Sequence, residues 1–165
     1  MKQMNRLSTH FAHGLLALCL PLLVQSNSLA AAAHVPAVVV SPKNPATNLS
    51  LGDLRKIFSG DKRTWPDGTR VKLFTRAPRT IEFAALLKLL GKSEADYKQY
   101  WTSKVYQGEA ESEPMVLPSE GMQREALAAY PGAISLVDAD TIKPGMKVLK
   151  IDGKLPEDDA YPLRP

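Results

Sequence analysis

Two arginines and a threonine, placed where a predicted strand gives way to a predicted helix, are the residues best suited to binding chemistry in this chain. Arg76 follows the β-rich run 70–75, and Arg79 and Thr80 directly precede an apolar, helix-favouring segment. Guanidinium groups bind oxyanions through paired hydrogen bonds, and a helix N-terminus adds free N–H donors. The spacing therefore predicts an oxyanion site with Arg76 and Thr80 as direct contacts and Arg79 as an auxiliary one.

Ser41 is a fourth, weaker candidate for the same site. It ends the run 37–41 (AVVVS), whose continuous apolar character is typical of a strand buried on both faces, and which we expect to be central in a sheet. Because ligands of open α/β sheets bind beyond the carboxyl ends of strands, Ser41 and Arg76 are expected at one edge. The alternative interpretation is that Arg76 pairs with an acid at the sheet edge and Arg79 is a solvated loop residue.

Strands and helices mostly alternate along the chain, which predicts an α/β fold with a layered sheet and helices on both faces. The predicted strands are 37–41, 70–75, 115–117, 133–137 and 147–151, and the predicted helices are 51–58, 80–90, 93–103 and 119–130. Asn48 or Ser50 is the expected N-cap of the first helix, and Thr80 and Gly91 are expected to bound the second. In that second helix the predicted buried residues are Ile81, Ala84, Ala85, Leu87 and Leu89. An irregular tail is expected from about residue 154.

The first 33 residues have the layout of a secretory signal peptide. Lys2 and Arg6 precede an apolar run at 14–24, and small residues at 30–33 offer cleavage after Ala30, Ala32 or Ala33. Residues 34–165 suit one domain, and no later segment has the roughly 20 apolar residues of a membrane span. We therefore expect an exported protein without stable membrane insertion after cleavage.

Composition argues against several classes of function. Of 21 basic residues two lie in the signal, whereas all 17 acidic residues follow it, so residues 34–165 carry a net charge of +2 and no basic run that would predict nucleic-acid binding. Beyond the signal His34 is the only histidine and cysteine is absent, which argues against His/Cys metal sites and Cys-His dyads. Glycine-rich phosphate loops and G-x-S-x-G motifs are also missing from the sequence. We expect no enzyme, no metal site and no cofactor.

The remaining acidic and aromatic residues favour structural roles. Acidic clusters occur in polar segments that indicate solvated loops: Glu109, Glu111 and Glu113, and Glu157, Asp158 and Asp159. Trp65 and Trp101 could line a ligand pocket, but large aromatic side chains at such positions more often pack in the core.

Three segments carry a resemblance to a known family: 38–45 (VVVSPKNP), 49–76 (LSLGDLRKIFSGDKRTWPDGTRVKLFTR) and 128–137 (AAYPGAISLV). They are similar to the phosphate-binding-protein-like family, solute receptors of ABC importers among the type II periplasmic binding proteins. The similarity covers nearly all of residues 34–165 and matches the second of the family's two lobes. It implies a single three-layer αβα lobe in which Arg76 and Thr80 match the family's arginine and threonine.

The chain departs from the family pattern at two places. Residues 77–79 are Ala-Pro-Arg where the family usually has small residues opening the helix, and Ser135 and Leu136 stand where a glycine and an aromatic residue are usual. The resemblance implies a periplasmic solute-binding-like protein that binds phosphate or a related oxyanion for an ABC import system. Its partners would be an importer membrane subunit or another periplasmic protein. The alternative is an accessory or interaction module that has lost ligand binding.

Overall fold

A computed structural model describes residues 34–165, and the predicted signal peptide with its cleavage site lies outside the described residues. The helices are α1 (Leu51–Phe58), α2 (Ile81–Leu90), α3 (Glu94–Tyr106) and α4 (Glu120–Ala129). The strands are β1 (Pro36–Val40), β2 (Asn48–Leu49), β3 (Lys72–Arg76), β4 (Met115–Leu117), β5 (Ala133–Asp138), β6 (Lys147–Val148) and β7 (Lys150–Ile151). A 3-10 turn, Ala139–Thr141, follows β5.

The central sheet has five strands in the order β4-β3-β5-β1-β6. Strand β3 runs parallel to β4 and β5, whereas β1 runs antiparallel to β5 and β6. As predicted, β1 lies inside the sheet and all five of its residues are buried. Strands β2 and β7 form a separate parallel pair, where the sequence predicted one continuous strand over 147–151.

Helices cover both faces of the sheet, which confirms the predicted three-layer αβα lobe. Alternate residues of β1 point to opposite faces, so Val38 and Val40 pack with helices α1 to α3, and Ala37 and Val39 pack with α4. The helices contribute eight buried side chains to the core on the first face: Leu54, Ile57, Phe58, Phe83, Leu86, Leu89, Tyr97 and Trp101. The second face is smaller and holds Phe74, Leu117 and Leu127.

Local sequence signals fix the helix ends. The Ser50 hydroxyl accepts a hydrogen bond from the Asp53 N–H at 3.0 Å, so Ser50 rather than Asn48 caps α1. Gly91 ends α2 in the left-handed conformation at φ 63°, as predicted. Helix α3 continues to Tyr106 instead of ending near residue 103, because Gly108, at φ 71°, supplies the left-handed residue one step beyond its cap.

Helix α2 buries only some of the residues predicted: Leu89 is buried, and Ala85 and Leu87 are partly buried against the larger core. Its buried residues are Glu82, Phe83, Leu86 and Leu89, whereas Ala84 is exposed. The sequence IEFAALLKLL is apolar around almost the whole helix, so its pattern specifies no single stripe. In the orientation that α2 adopts, Glu82 faces inward, and its Oε1 lies 3.7 Å from Nε of Arg76 at the end of β3.

The tail beyond Ile151 is irregular, as predicted, but it is packed. Tyr161 is buried in the larger core, and Leu163 packs against that core. Within residues 34–165, no helix combines the length and apolar character needed to cross a membrane.

Candidate functional site

Arg76 lies at the C-terminal end of β3 with its guanidinium already engaged. Nη1 donates a hydrogen bond to the Leu117 carbonyl oxygen at 3.1 Å, and Nε lies 3.7 Å from Glu82 Oε1. Both side chains of the ion pair are nearly buried, with 11% of Arg76 and 6% of Glu82 exposed. The alternative interpretation of the sequence, an arginine paired with an acid at the sheet edge, describes this geometry. Nε has no hydrogen-bond partner among the described residues.

Thr80 caps α2 in the way the sequence predicts. Its Oγ1 accepts a hydrogen bond from the Phe83 N–H at 3.2 Å and donates one to the Ala77 carbonyl oxygen at 3.0 Å. The hydroxyl is therefore committed to the helix end. The Ile81 and Glu82 N–H groups have no backbone acceptor within residues 34–165, so they remain the donors that this helix end can offer.

Arg79 is the exposed cationic residue of the loop. Its backbone is left-handed at φ 71°, an uncommon conformation for a residue other than glycine, asparagine or aspartate. Arg79 and the α2 N-terminus are thus the accessible cationic features near Arg76.

Ser41 does not lie at this edge of the sheet. Its N–H donates to the Ala133 carbonyl oxygen at 3.2 Å, and Ala133 pairs with Lys72, the first residue of β3. Arg76 ends that same strand four residues later, about 13 Å away along the strand. The expectation of a shared edge was wrong because β1 runs antiparallel to β5. Ser41 is fully buried, and its Oγ accepts a hydrogen bond from the Lys43 N–H at 3.3 Å.

Two of the segments that carry the family resemblance meet at Gly132. The Trp65 indole Nε1 donates to the Gly132 carbonyl oxygen at 3.1 Å, and the Lys72 N–H donates to the same oxygen at 2.9 Å. This contact joins the turn before β3 to the start of β5. Both tryptophans are buried, Trp65 with 2% and Trp101 with 4% of their surface exposed, so the packing interpretation holds for both.

Ser135, which departs from the family pattern, belongs to a buried polar network. Its Oγ donates to the Phe74 carbonyl oxygen at 3.0 Å, and Gln123 Nε2 donates to Ser135 Oγ at 2.7 Å. Gln123 also donates to the Leu136 carbonyl oxygen at 2.7 Å. The network ties α4 to β3 and β5, so the departure has a structural role behind the sheet edge.

Three donors that the sequence analysis did not group together meet at the end of β5. His34 Nδ1 lies 2.5 Å from Asp138 Oδ2, and Asp140 brings a second carboxylate, with all three donor atoms within 4.8 Å of one another. His34 and Asp138 are 104 positions apart in the chain. Only the pairing of Pro36 with Asp138 in the antiparallel β1–β5 ladder brings them together, and residue spacing carries no signal of it.

The acidic clusters considered in the sequence are exposed, as expected. Glu111 pairs with Arg70 at 2.6 Å while both side chains remain about four-fifths exposed, and this pair holds the pKa of Glu111 below its usual range. Residues 157–159 are likewise exposed. In the described part of the chain, no acidic side chain of either cluster forms a hydrogen bond or an ion pair with Arg76 or Thr80.

Comparison with solved structures finds this fold in phosphate receptors. An ABC-type phosphate transport receptor from Vibrio cholerae superimposes with a TM-score of 0.60 at 18% identity, covering 74% of this chain and 48% of the receptor. PstS from Borrelia burgdorferi superimposes with a TM-score of 0.57 at 18% identity, covering 74% of this chain and 49% of PstS. A phosphate ABC transporter substrate-binding protein from Clostridium perfringens, solved with bound phosphate, superimposes with a TM-score of 0.59 at 14% identity. The match covers 74% of this chain and 47% of that protein. The chain spans about half the length of each.

Sequence comparison identifies the family. A search among curated protein sequences finds no significant match. The family model described as PBP superfamily domain matches residues 29–162, which is most of the chain. This match shows that the chain belongs to the PBP superfamily.

Proposed function

We propose that the chain is a periplasmic solute-binding-like protein that binds phosphate or a related oxyanion at the N-terminus of α2 for an ABC import system. The observation that carries the proposal is the placement of Arg76 beside a helix N-terminus whose first N–H groups lack backbone acceptors. A partial positive charge at such a helix end favours anions. The phosphate receptors with the same fold support the choice of ligand.

The carboxylate of Glu82 limits what this site can hold. It lies 3.7 Å from Arg76 Nε and is itself in the first turn of α2, so it competes for the same positive charges as an incoming anion. We therefore assign the main charge contact to Arg79, which is exposed. A single lobe also leaves the ligand open to water, so we expect affinity in the millimolar range, about −4 kcal/mol.

The second candidate function is an accessory or interaction module that keeps the lobe without the ligand. The buried Arg76–Glu82 pair favours it, because an internal carboxylate already meets the guanidinium that the family resemblance assigns to the ligand. Export and a periplasmic partner belong to both candidates.

Titration calorimetry with phosphate and sulfate on the purified protein separates the two candidates. Arg79→Asn removes the charge while asparagine still tolerates the left-handed backbone, and we expect roughly tenfold weaker binding. Glu82→Gln removes the competing charge, so we expect tighter binding. Arg124→Asn, an exposed arginine on α4, is the matched control for net charge.

The outcomes are distinct. Absence of heat with either anion at about 10 mM, for both the wild type and Glu82→Gln, would favour the accessory module over the binding protein. If Arg79→Asn and Arg124→Asn weaken anion binding equally, the protein binds the anion but the α2 loop is not the binding site, because the loss then reflects the change in net charge alone.

A further inference from the structure

We propose that His34, Asp138 and Asp140 form a binding site for a divalent transition-metal ion at the end of β5, independent of the oxyanion site. One imidazole and two carboxylates converge there, with donor atoms no more than 4.8 Å apart. Protein ligands lie about 2.0–2.2 Å from zinc, so donors around one ion are separated by about 3–4 Å. Small side-chain rotations bring the three donors to that spacing.

The backbone holds these residues in place. Pro36 pairs with Asp138 in the β1–β5 ladder, and the Ala139 N–H donates to the Val35 carbonyl oxygen at 2.9 Å. Residues adjacent to His34 are thus tied to residues adjacent to both aspartates. Asp138 ends β5, His34 lies two residues before β1 and Asp140 lies in the 3-10 turn, so the paired strands fix one ligand and hold the backbone beside the other two.

Asp138 is the fixed centre of the group. Only 10% of its side chain is exposed, its Oδ1 accepts a hydrogen bond from the Asp140 N–H at 3.2 Å, and its Oδ2 faces His34. Asp140 and His34 are exposed, so their donor atoms can be reached from solvent. The geometry is that of a buried carboxylate fixing the position of two accessible ligands.

The donor set selects the class of ion. Ca²⁺ and Mg²⁺ prefer all-oxygen ligands, whereas imidazole with carboxylates suits Zn²⁺ and Cu²⁺. Three protein ligands leave a coordination position for water or a further ligand. Metal binding at His34 Nδ1 replaces its hydrogen bond with Asp138 Oδ2, and the neutral imidazole then carries its proton on Nε2.

The competing explanation is a structural role in which the His34–Asp138 hydrogen bond anchors the start of β1 without any ion. Such a bond would change the stability of the metal-free protein but would give no response to metal. The two explanations therefore differ in a metal-dependent measurement rather than in the stability of the variants alone.

The test uses the full chain with His10→Ala and His13→Ala, so that His34 is the only histidine whether or not the signal is removed. Zn²⁺ is titrated while the melting temperature is followed, starting from protein treated with chelator. We expect zinc to raise the melting temperature because an ion bound to the native state stabilises it. His34→Ala and Asp138→Asn should weaken zinc binding by about tenfold or more.

Matched variants keep the result specific. Asp138→Asn retains an oxygen that can accept the Asp140 N–H, so its metal-free fold is preserved, and Asp140→Asn tests the accessible carboxylate. Asp159→Asn removes a fully exposed acid elsewhere and should leave zinc affinity unchanged. With Cu²⁺ as the probe, electron paramagnetic resonance should show nitrogen coupling that disappears in His34→Ala. An unmoved melting temperature in the parent, or equal zinc affinity in His34→Ala, would overturn the proposal.

Discussion

Gly132 is the residue at which the two most distinctive segments of the sequence are joined. Its carbonyl oxygen accepts hydrogen bonds from the Trp65 indole and the Lys72 N–H. A Cβ atom at this position would lie 1.8 Å from the Arg70 carbonyl oxygen, far inside van der Waals contact. The clash is with backbone, so no side-chain rotation relieves it. The glycine is therefore required by close approach of two chain segments.

Gly132→Ala should destabilise the protein by about 3 kcal/mol, because relieving the clash moves the start of β5 away from β3 and weakens both hydrogen bonds. Urea unfolding followed by tryptophan fluorescence measures the change. Gly121→Ala is the matched control: its Cβ would meet only the Ser119 hydroxyl at 3.8 Å, and within a helix alanine should add up to about 1 kcal/mol. Similar effects of the two substitutions would contradict the close-approach argument.

Arg76 shows how far a single residue can be interpreted from sequence. Its position at a strand end beside a capped helix was predictable, because Thr80 is a strong N-cap signal and the β-rich run ends nearby. Its partner was not predictable, because Glu82 is placed by the rotation of α2. The sequence thus predicted correctly where the Arg76 guanidinium lies. Its pairing with the buried Glu82 carboxylate is visible only in the three-dimensional structure.

At the scale of elements, most boundaries were predictable and the sheet order was not. Serine and threonine caps, glycine C-caps and short apolar runs gave the helices and most strands within a few residues. Strand direction depends on contacts between residues far apart in sequence. The antiparallel direction of β1 moved Ser41 away from Arg76 and brought His34 to Asp138, and neither change has a local sequence signal.

Lys104 links α3 to the loop after α1 through an ion pair that depends on pH. Its Nζ lies 2.7 Å from Asp61 Oδ1 and 3.6 Å from Glu109 Oε2, with only 10% of the lysine side chain exposed. Burial alone would lower the pKa of Lys104, but contacts with Asp61 and Tyr100 raise it above its usual value. Hydrogen bonds from Lys104 and Ser59 lower the pKa of Asp61.

The sign of the pH dependence follows from these directions. The pKa of Asp61 is lower in the folded state, so its contribution is complete above about pH 5 and is lost as pH falls through the folded-state pKa. Asp61→Asn should therefore reduce stability by about 1 kcal/mol at neutral pH, a modest value because Asp61 is half exposed. The difference from the wild type should shrink progressively as pH falls below about 4, measured by urea unfolding at each pH. Asp159→Asn should show no such trend, and a constant difference for Asp61→Asn would contradict the role of the ion pair.

At the scale of the whole molecule, the described residues form a lobe whose larger core is completed by the C-terminal tail. Tyr161 lies in that core with 3% of its surface exposed. Arg164 holds the tail in a turn by donating from Nη2 to the carbonyl oxygens of Pro156 and Glu157, each at 3.1 Å. Composition marked this segment as irregular, which is correct, but proline-rich composition gave no indication that it would be packed.

Tyr161→Ala should therefore destabilise the whole lobe by about 3–4 kcal/mol, a value expected for an aromatic core residue and not for a free tail.

Burial also raises the pKa of Tyr161 to about 12. Because the folded state resists deprotonation, stability attributable to this group is constant below about pH 10 and falls as pH rises toward 12. Urea unfolding at neutral pH and at about pH 11 should show a loss in the wild type that is smaller in Tyr161→Phe, which keeps the ring but cannot ionise. Equal losses in the two proteins would assign the alkaline effect to Tyr97, whose pKa burial also raises, or to lysine deprotonation. An effect of Tyr161→Ala below about 1 kcal/mol would show that the tail is not part of the core that holds the sheet and α1 to α3 together.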